Sequence, residues 1–298
     1  MSATVERHDG SEIGPETQSP ETKVVVRRFS MWTRATHAVL AASVFGLVLT
    51  GMPMRYQDAF WAHWLFALEH GHDGAAALHK TFAVGFFTAG AMHVAGLLAA
   101  WFTGRFRLRS ILEPDSILLR PQDLKNIVAN LRFLHDRGPR PPFARFTYWE
   151  KFDYFAEIWG LLVIGLSGLA MWFPARAAEF LPGWVVNAAL IFHSYEGLLA
   201  MGFLFSIHFF NTHLRPDVFP VDPVIFSGEI PLDEVEERYP GWFERLVQRG
   251  EGRLSRDHGA SRSAYFISVA YLTVGLFTLL FVMIAALVET WRYFNAVF

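Results

Sequence analysis

The residues best equipped for chemistry in this 298-residue chain are its 12 histidines, because there is no cysteine to supply a thiolate. The lack of cysteine excludes disulfide scaffolds, thiolate zinc sites, iron–sulfur ligation and covalently attached c-type haem within the chain. Six histidines fall within or at the edges of long apolar runs: His37, His79, His93, His193, His208 and His213. Ionisable groups at membrane depth are costly, so each needs an explanation. His79 and His93 are 14 residues apart, which on a helix is about 21 Å of rise and about 40° short of four turns. His193 and His208 are 15 apart, about 22 Å of rise and about 60° past four turns. Each pair shares a helix face, and the two pairs together form two layers of facing imidazoles. Such layers suit haem held edge-on between helices by axial imidazoles, repeated at about 20 Å to make an electron path. A bare divalent metal would instead need three or four ligands converging at one depth.

His37 and His213 admit two pairings. In the first, two haems use His79 with His193 and His37 with His208, leaving His93 and His213 in support. In the second, three haems use His79 with His193, His93 with His208, and His37 with His213. On an ideal α-helix His213 lies about 140° round from His208, so the two cannot serve one haem face.

The elements that must position these residues are membrane helices. The chain is 52% hydrophobic, 16% aromatic and only 18% charged, with a mean hydropathy of +0.25, which excludes an ordinary soluble domain. Runs free of Asp, Glu, Lys and Arg cover Ala35 to Met54, Thr81 to Gly104, Ile158 to Ala175 and Ser263 to Val288. A further run from Trp184 to Leu214 contains one acid, Glu196. Each is long enough to cross about 30 Å of hydrocarbon. The expected fold is therefore an all-α integral membrane bundle of five transmembrane helices, with haems between the first four. Lys and Arg number 5 in the N-terminal tail, 10 between spans two and three and 7 between spans four and five, against 4 on the other side. That 22-to-4 split places the N-terminus and both long loops in the cytoplasm and the C-terminus outside. The net charge of −2 gives no field for nucleic acid. Residues 1–26 read as a disordered tail without a signal peptide, 27–222 as the haem-binding core, 223–262 as a cytoplasmic loop and 263–298 as the fifth span with its outer end. Asp123 to Asp136 has apolar residues at helical spacing and reads as a short amphipathic helix lying on the membrane face or packed on a partner subunit.

Four segments carry a family resemblance: RRFSMWTRATH (Arg27 to His37), the LHK opening of span two, YWEKFDYFAEIWGLLVIGLSGLAMWFP (Tyr148 to Pro174) and IFHSYEGLLAMGFLFSIHFFNTHLRPDVFPVD (Ile191 to Asp222). Over about residues 27 to 222 the chain resembles the membrane cytochrome b subunits of respiratory formate dehydrogenases, nickel–iron hydrogenases and thiosulfate reductases. The resemblance implies haem b ligation by His37, His79, His193 and His208. It further implies an exchangeable quinone near the cytoplasmic haem, a bacterial-type inner membrane, and a partner that is an iron–sulfur subunit or a multihaem cytochrome c. The chain departs from the family in two ways. The fourth-span pair is 15 apart rather than 14, which implies a local helix bulge or altered pairing. His93 is additional.

Other polar residues lie near this path. Arg34 suits a haem propionate or orients the first span; Glu196 suits an imidazole partner, a proton carrier or a structural acid. Lys151, Asp153 and Glu157 are candidates for proton exchange with a quinone, or are simply interfacial. His63, His70 and His72 fall in the outer connection and His8, His135 and His258 in loops. The chain offers no site for substrate chemistry of its own, so the reading is an electron-transfer subunit of a quinone-linked oxidoreductase complex. The rivals are a His-lined metal-ion transporter and a haem-free membrane anchor.

Overall fold

The computed structural model describes residues 23–250, 253–255 and 262–297. Five of its helices are long and apolar enough to cross a membrane. Helix α1 (Met31–Arg55) starts where the Ser30 hydroxyl caps the Thr33 amide at 3.1 Å. A short α2 (Phe60–Leu68) leads into α3 (Gly71–Phe102). That helix begins ten residues before the uncharged run, so His79 lies well inside it and His72 in its first turn. After a 3-10 turn at Leu108–Leu112 comes α4 (Pro121–Leu134), the expected amphipathic helix. Helix α5 (Tyr148–Trp172) opens on a reciprocal cap: Thr147 Oγ1 accepts from the Glu150 amide, and Glu150 Oε2 accepts from the Thr147 amide at 2.8 Å. A short α6 (Pro174–Phe180) precedes α7 (Trp184–Phe203), which continues through two π-helical turns, Leu204–His208 and Phe210–Leu214.

The spanning helices pack as two antiparallel hairpins. Helix α1 lies along α3 and α5 along α7, whereas the two hairpins touch each other sparsely. The fifth spanning helix, α11 (Arg262–Val297), turns one face into the chain. Its Val282, Ala285 and Ala286 join Met52, Trp61, Ala62 and Met201, while Leu272 and Leu279 join Phe209 and Val221.

Two expectations are corrected. The tail read as disordered contributes β1 (Lys23–Arg27), the central strand of a small antiparallel sheet with β2 (Glu229–Pro231) and β3 (Arg253–Ser255). Three consecutive valines supply the cause, with Val25 and Val26 buried between the flanking strands. The rest of the tail, 1–22, lies outside the described residues. The segment read as a loop, 223–262, folds as α8 (Val224–Ser227), β2, α9 (Leu232–Arg238), α10 (Pro240–Arg249) and β3. These pieces close around Val26, Phe143, Ile230, Val235, Tyr239, Trp242 and Leu246 to form a cap over one end of the bundle.

Buried charges fasten the cap to α5. Arg28 donates to Tyr239 Oη at 2.7 Å and to Glu150 Oε1 at 2.8 Å, while Arg238 pairs with Asp222 at 2.6 Å. Burial is the largest single influence and would lower the Arg28 guanidinium, but Glu150, Tyr239 and Asp222 together outweigh it and the group is held above its ordinary value. Burial would raise the Asp222 carboxyl, and Arg238, helped by the Val224 amide and Arg28, more than reverses this, leaving it below the usual carboxylate range.

Candidate functional site: two imidazole clusters

At the end of the bundle away from the cap, His79 of α3 and His193 of α7 face each other across the gap between the hairpins. Their ring centroids are 6.1 Å apart with planes 73° from parallel. Each ring is seated by the other helix of its own hairpin. His79 Nδ1 lies 2.9 Å from Thr50 Oγ1 of α1, and that hydroxyl already donates to the Gly46 carbonyl at 2.7 Å. His79 Nδ1–H is therefore the donor, leaving Nε2 with a free lone pair. On the other side His193 Nδ1 donates to the Ile164 carbonyl of α5 at 3.0 Å, with Ser167 Oγ at 3.4 Å. Its Nε2 is likewise free.

The seats are matched in a second respect. A methyl group at Gly51 would come within 3.1 Å of His79 Cε1, and one at Gly168 within 3.0 Å of His193 Cε1. Both glycines thus let an imidazole lie directly on a neighbouring helix. Gly51 follows Thr50 and Gly168 follows Ser167, within Leu49-Thr50-Gly51-Met52-Pro53-Met54 and Leu166-Ser167-Gly168-Leu169-Ala170-Met171. The shared pattern Leu-Thr/Ser-Gly-x-x-Met is a signal in the sequence that could have located both seats.

At the cap end, His37 of α1 lies within electrostatic reach of both His208 and His213. The π-turns explain why His213 belongs here. A hydrogen-bonding step of five residues brings positions five apart almost onto one face, so the 140° separation expected of an ideal α-helix does not hold. His208 Nδ1 is 3.1 Å from Asp153 Oδ2 of α5, an arrangement that leaves its Nε2 free. His213 is buried against the Phe209 ring, and its Nδ1 has no hydrogen-bond partner. His93 is engaged differently: its Nε2, the nitrogen a metal would need, is 2.9 Å from the Tyr154 hydroxyl. Neighbouring residues of α5, Asp153 and Tyr154, therefore hold His208 on α7 and His93 on α3.

Three of the remaining sequence candidates, Lys151, Glu196 and Arg34, have structural partners. Lys151 is closed into a buried ion pair with Asp123, at 3.0 Å. Glu196 accepts from the Trp159 indole at 2.7 Å rather than from an imidazole. Arg34 Nη2 donates to the Phe226 carbonyl of the cap, and its Nε is buried without a partner. His63 sits in α2, His70 immediately precedes α3 and His135 follows α4 with its Nδ1 2.8 Å from the Leu131 carbonyl; His8 and His258 lie outside the described residues. Among the described residues, no three His, Asp or Glu side chains converge closely enough to hold a bare metal ion. No protein-family model matches the chain, and no curated protein matches it either.

The far pair can be tested for fit to a bis-imidazole iron. Two collinear metal–nitrogen bonds of about 2 Å, extended by about 1.1 Å from each Nε2 to its ring centre, separate the centroids by about 6 Å. The pair at 6.1 Å has the required spacing and two free Nε2 atoms. Its donor set is the axial set of a low-spin haem.

Proposed function

We propose that this chain is a membrane cytochrome b subunit that carries electrons between the quinone pool and a partner redox subunit. The observation that carries this reading is the far pair, whose spacing, tautomers and seats all match two axial ligands. His79 and His193 would hold one haem b. His37 and His208 would hold a second at the cap end, with Arg34 near enough to the cap to meet a propionate. The engagement of His93 Nε2 by Tyr154 favours two haems over three.

Bound haem would supply a one-electron iron couple, and the chain's own groups do the rest. The hairpins hold His79, His193 and His208 each in one tautomer and orientation, Thr50 and Ile164 acting as neutral acceptors and Asp153 as a carboxylate. The cap meets the end where His37 and His208 lie through Arg34 and the Phe226 carbonyl. Under the basic-residue asymmetry this end is cytoplasmic, and a quinone exchanging electrons there would find Asp153 and Glu157 as nearby carboxylates. The partner would be an iron–sulfur subunit or a multihaem cytochrome c, in a bacterial-type inner membrane.

A reduced-minus-oxidised spectrum with pyridine haemochrome quantification on protein extracted from native membranes tests the reading. Two haems b per chain are expected. Absence of b-type haem would overturn it, and a ratio of three would replace the pairing.

A further inference from the structure

Helix α4 is amphipathic in the opposite sense to a helix packed on a protein core. The side it turns toward the rest of the chain is polar: Asp123 and Asn126 are buried, Asp123 ties to Lys151, and Asn130 donates to the Tyr148 hydroxyl at 3.2 Å. The side it turns outward is apolar, with Leu124, Val128 and Leu131 at 69%, 50% and 52% exposure. These three are spaced at four and three residues and so form one stripe. Both anchors, Tyr148 and Lys151, lie in the first turn of a membrane-crossing helix, so the stripe sits at the level where α5 enters the bilayer. The segment before it continues the pattern: Trp101 and Phe102 end the spanning helix α3 exposed, and Leu108 and Leu112 follow, also exposed.

Charge selects the occupant. Arg105, Arg107, Arg109, Lys125 and Arg132 are exposed along this segment, and none forms an ion pair among the described residues. Of the acids in this segment Asp123 is spent on Lys151 and Asp115 on Arg245, which leaves Glu113 alone against the five cations. An apolar stripe bordered by unpaired cations is the pattern of a helix lying in a membrane interface, whose affinity comes from buried apolar area plus attraction to anionic lipid. A second copy would set these cations against themselves.

The geometry points to residues 101–134 as an in-plane docking surface for the anionic phospholipid headgroups of the leaflet on the cap side. Leu124, Val128 and Leu131 enter the acyl boundary, the arginines meet headgroup phosphates, and the Asp123–Lys151 pair transmits that footing to α5.

The natural absence of cysteine makes the test direct. The full chain carrying Val128→Cys, or Gln248→Cys on the exposed side of α10 as a solvent reference, is labelled with a nitroxide. It is then reconstituted in phosphatidylcholine vesicles with and without phosphatidylglycerol. Collision with oxygen should exceed collision with a water-soluble nickel chelate severalfold at position 128, with the reverse at 248. Phosphatidylglycerol should deepen position 128, and Arg105→Gln with Arg107→Gln and Arg109→Gln should abolish that deepening. Equal chelate access at both positions overturns the proposal. So does shielding of position 128 from both reagents, which would mean a protein covers the stripe. Indifference to phosphatidylglycerol overturns the headgroup assignment. None of these outcomes depends on haem being bound.

Discussion

The two imidazole clusters use the same side chain in different surroundings. At the far end both Nδ1–H groups donate to neutral oxygens, of Thr50 and Ile164, and the helices alone hold them. At the cap end His208 donates to the Asp153 carboxylate, and a folded cap meets that end through Arg34. A carboxylate behind an axial imidazole makes that ligand more electron-rich and favours the ferric state, whereas a neutral acceptor does so less. With haem bound as proposed, the two ends would differ in reduction potential while sharing ligand chemistry.

The largest effect expected is loss of a whole cofactor. His193→Ala should reduce haem from two to one per chain and leave the cap-end signal in place, as His208→Ala should do at the other end. Loss of both haems from either variant would show that the ends are not independent. Next in size is the cap. Trp242→Ala empties a position that is 3% exposed, a change that costs about 3–5 kcal/mol. Limited proteolysis should then cut the cap while the far-end spectrum stays unchanged. Acid should open the cap in the same way, because the Asp222 carboxyl is held below its ordinary value in the folded state. Its contribution is complete above about pH 4, the unfolded carboxylate range, and is lost as pH falls through the depressed folded value. The smallest effect is the most discriminating. Asp153→Asn keeps the shape and removes the charge, and should raise the cap-end midpoint by about 30–60 mV, where 59 mV corresponds to about 1.4 kcal/mol for one electron. Thr50→Val should move the far-end midpoint by under about 20 mV. Equal shifts in a spectroelectrochemical titration would erase the distinction between the ends.

What could be read in the sequence followed from how far apart the cooperating residues lie. The five spans were visible because hydrophobicity over about 20 residues is a local property. Their ends were not, since polar first turns such as Gly71 to Lys80 are helical only by continuity with the apolar run. Spacing along single helices anticipated the facing of His79 and His193, whereas His93, expected opposite His208, is held by Tyr154 instead. The cap was not, because its core joins residues near 26, 143 and 224–246, each stretch too short to signal a fold by itself. The 15-residue interval between His193 and His208 did announce a bulge, and π-turns occupy the C-terminal end of that stretch. The Thr50-Gly51 and Ser167-Gly168 seats were present as a repeated hexapeptide whose meaning depends on knowing which helices pair. The Asp153 contact to His208 crosses between helices at a separation of 55 residues.

The pairing of helices into self-sufficient hairpins bears on biogenesis. Each far-end imidazole is oriented by the spanning helix synthesised before its own, so α1 with α3 completes one half of the far-end pair and α5 with α7 the other. A chain delivered to the bilayer hairpin by hairpin therefore holds two finished half-sites before they meet. Completing the far-end pair then needs only that the two preformed halves come together, with α11 packing on them afterwards.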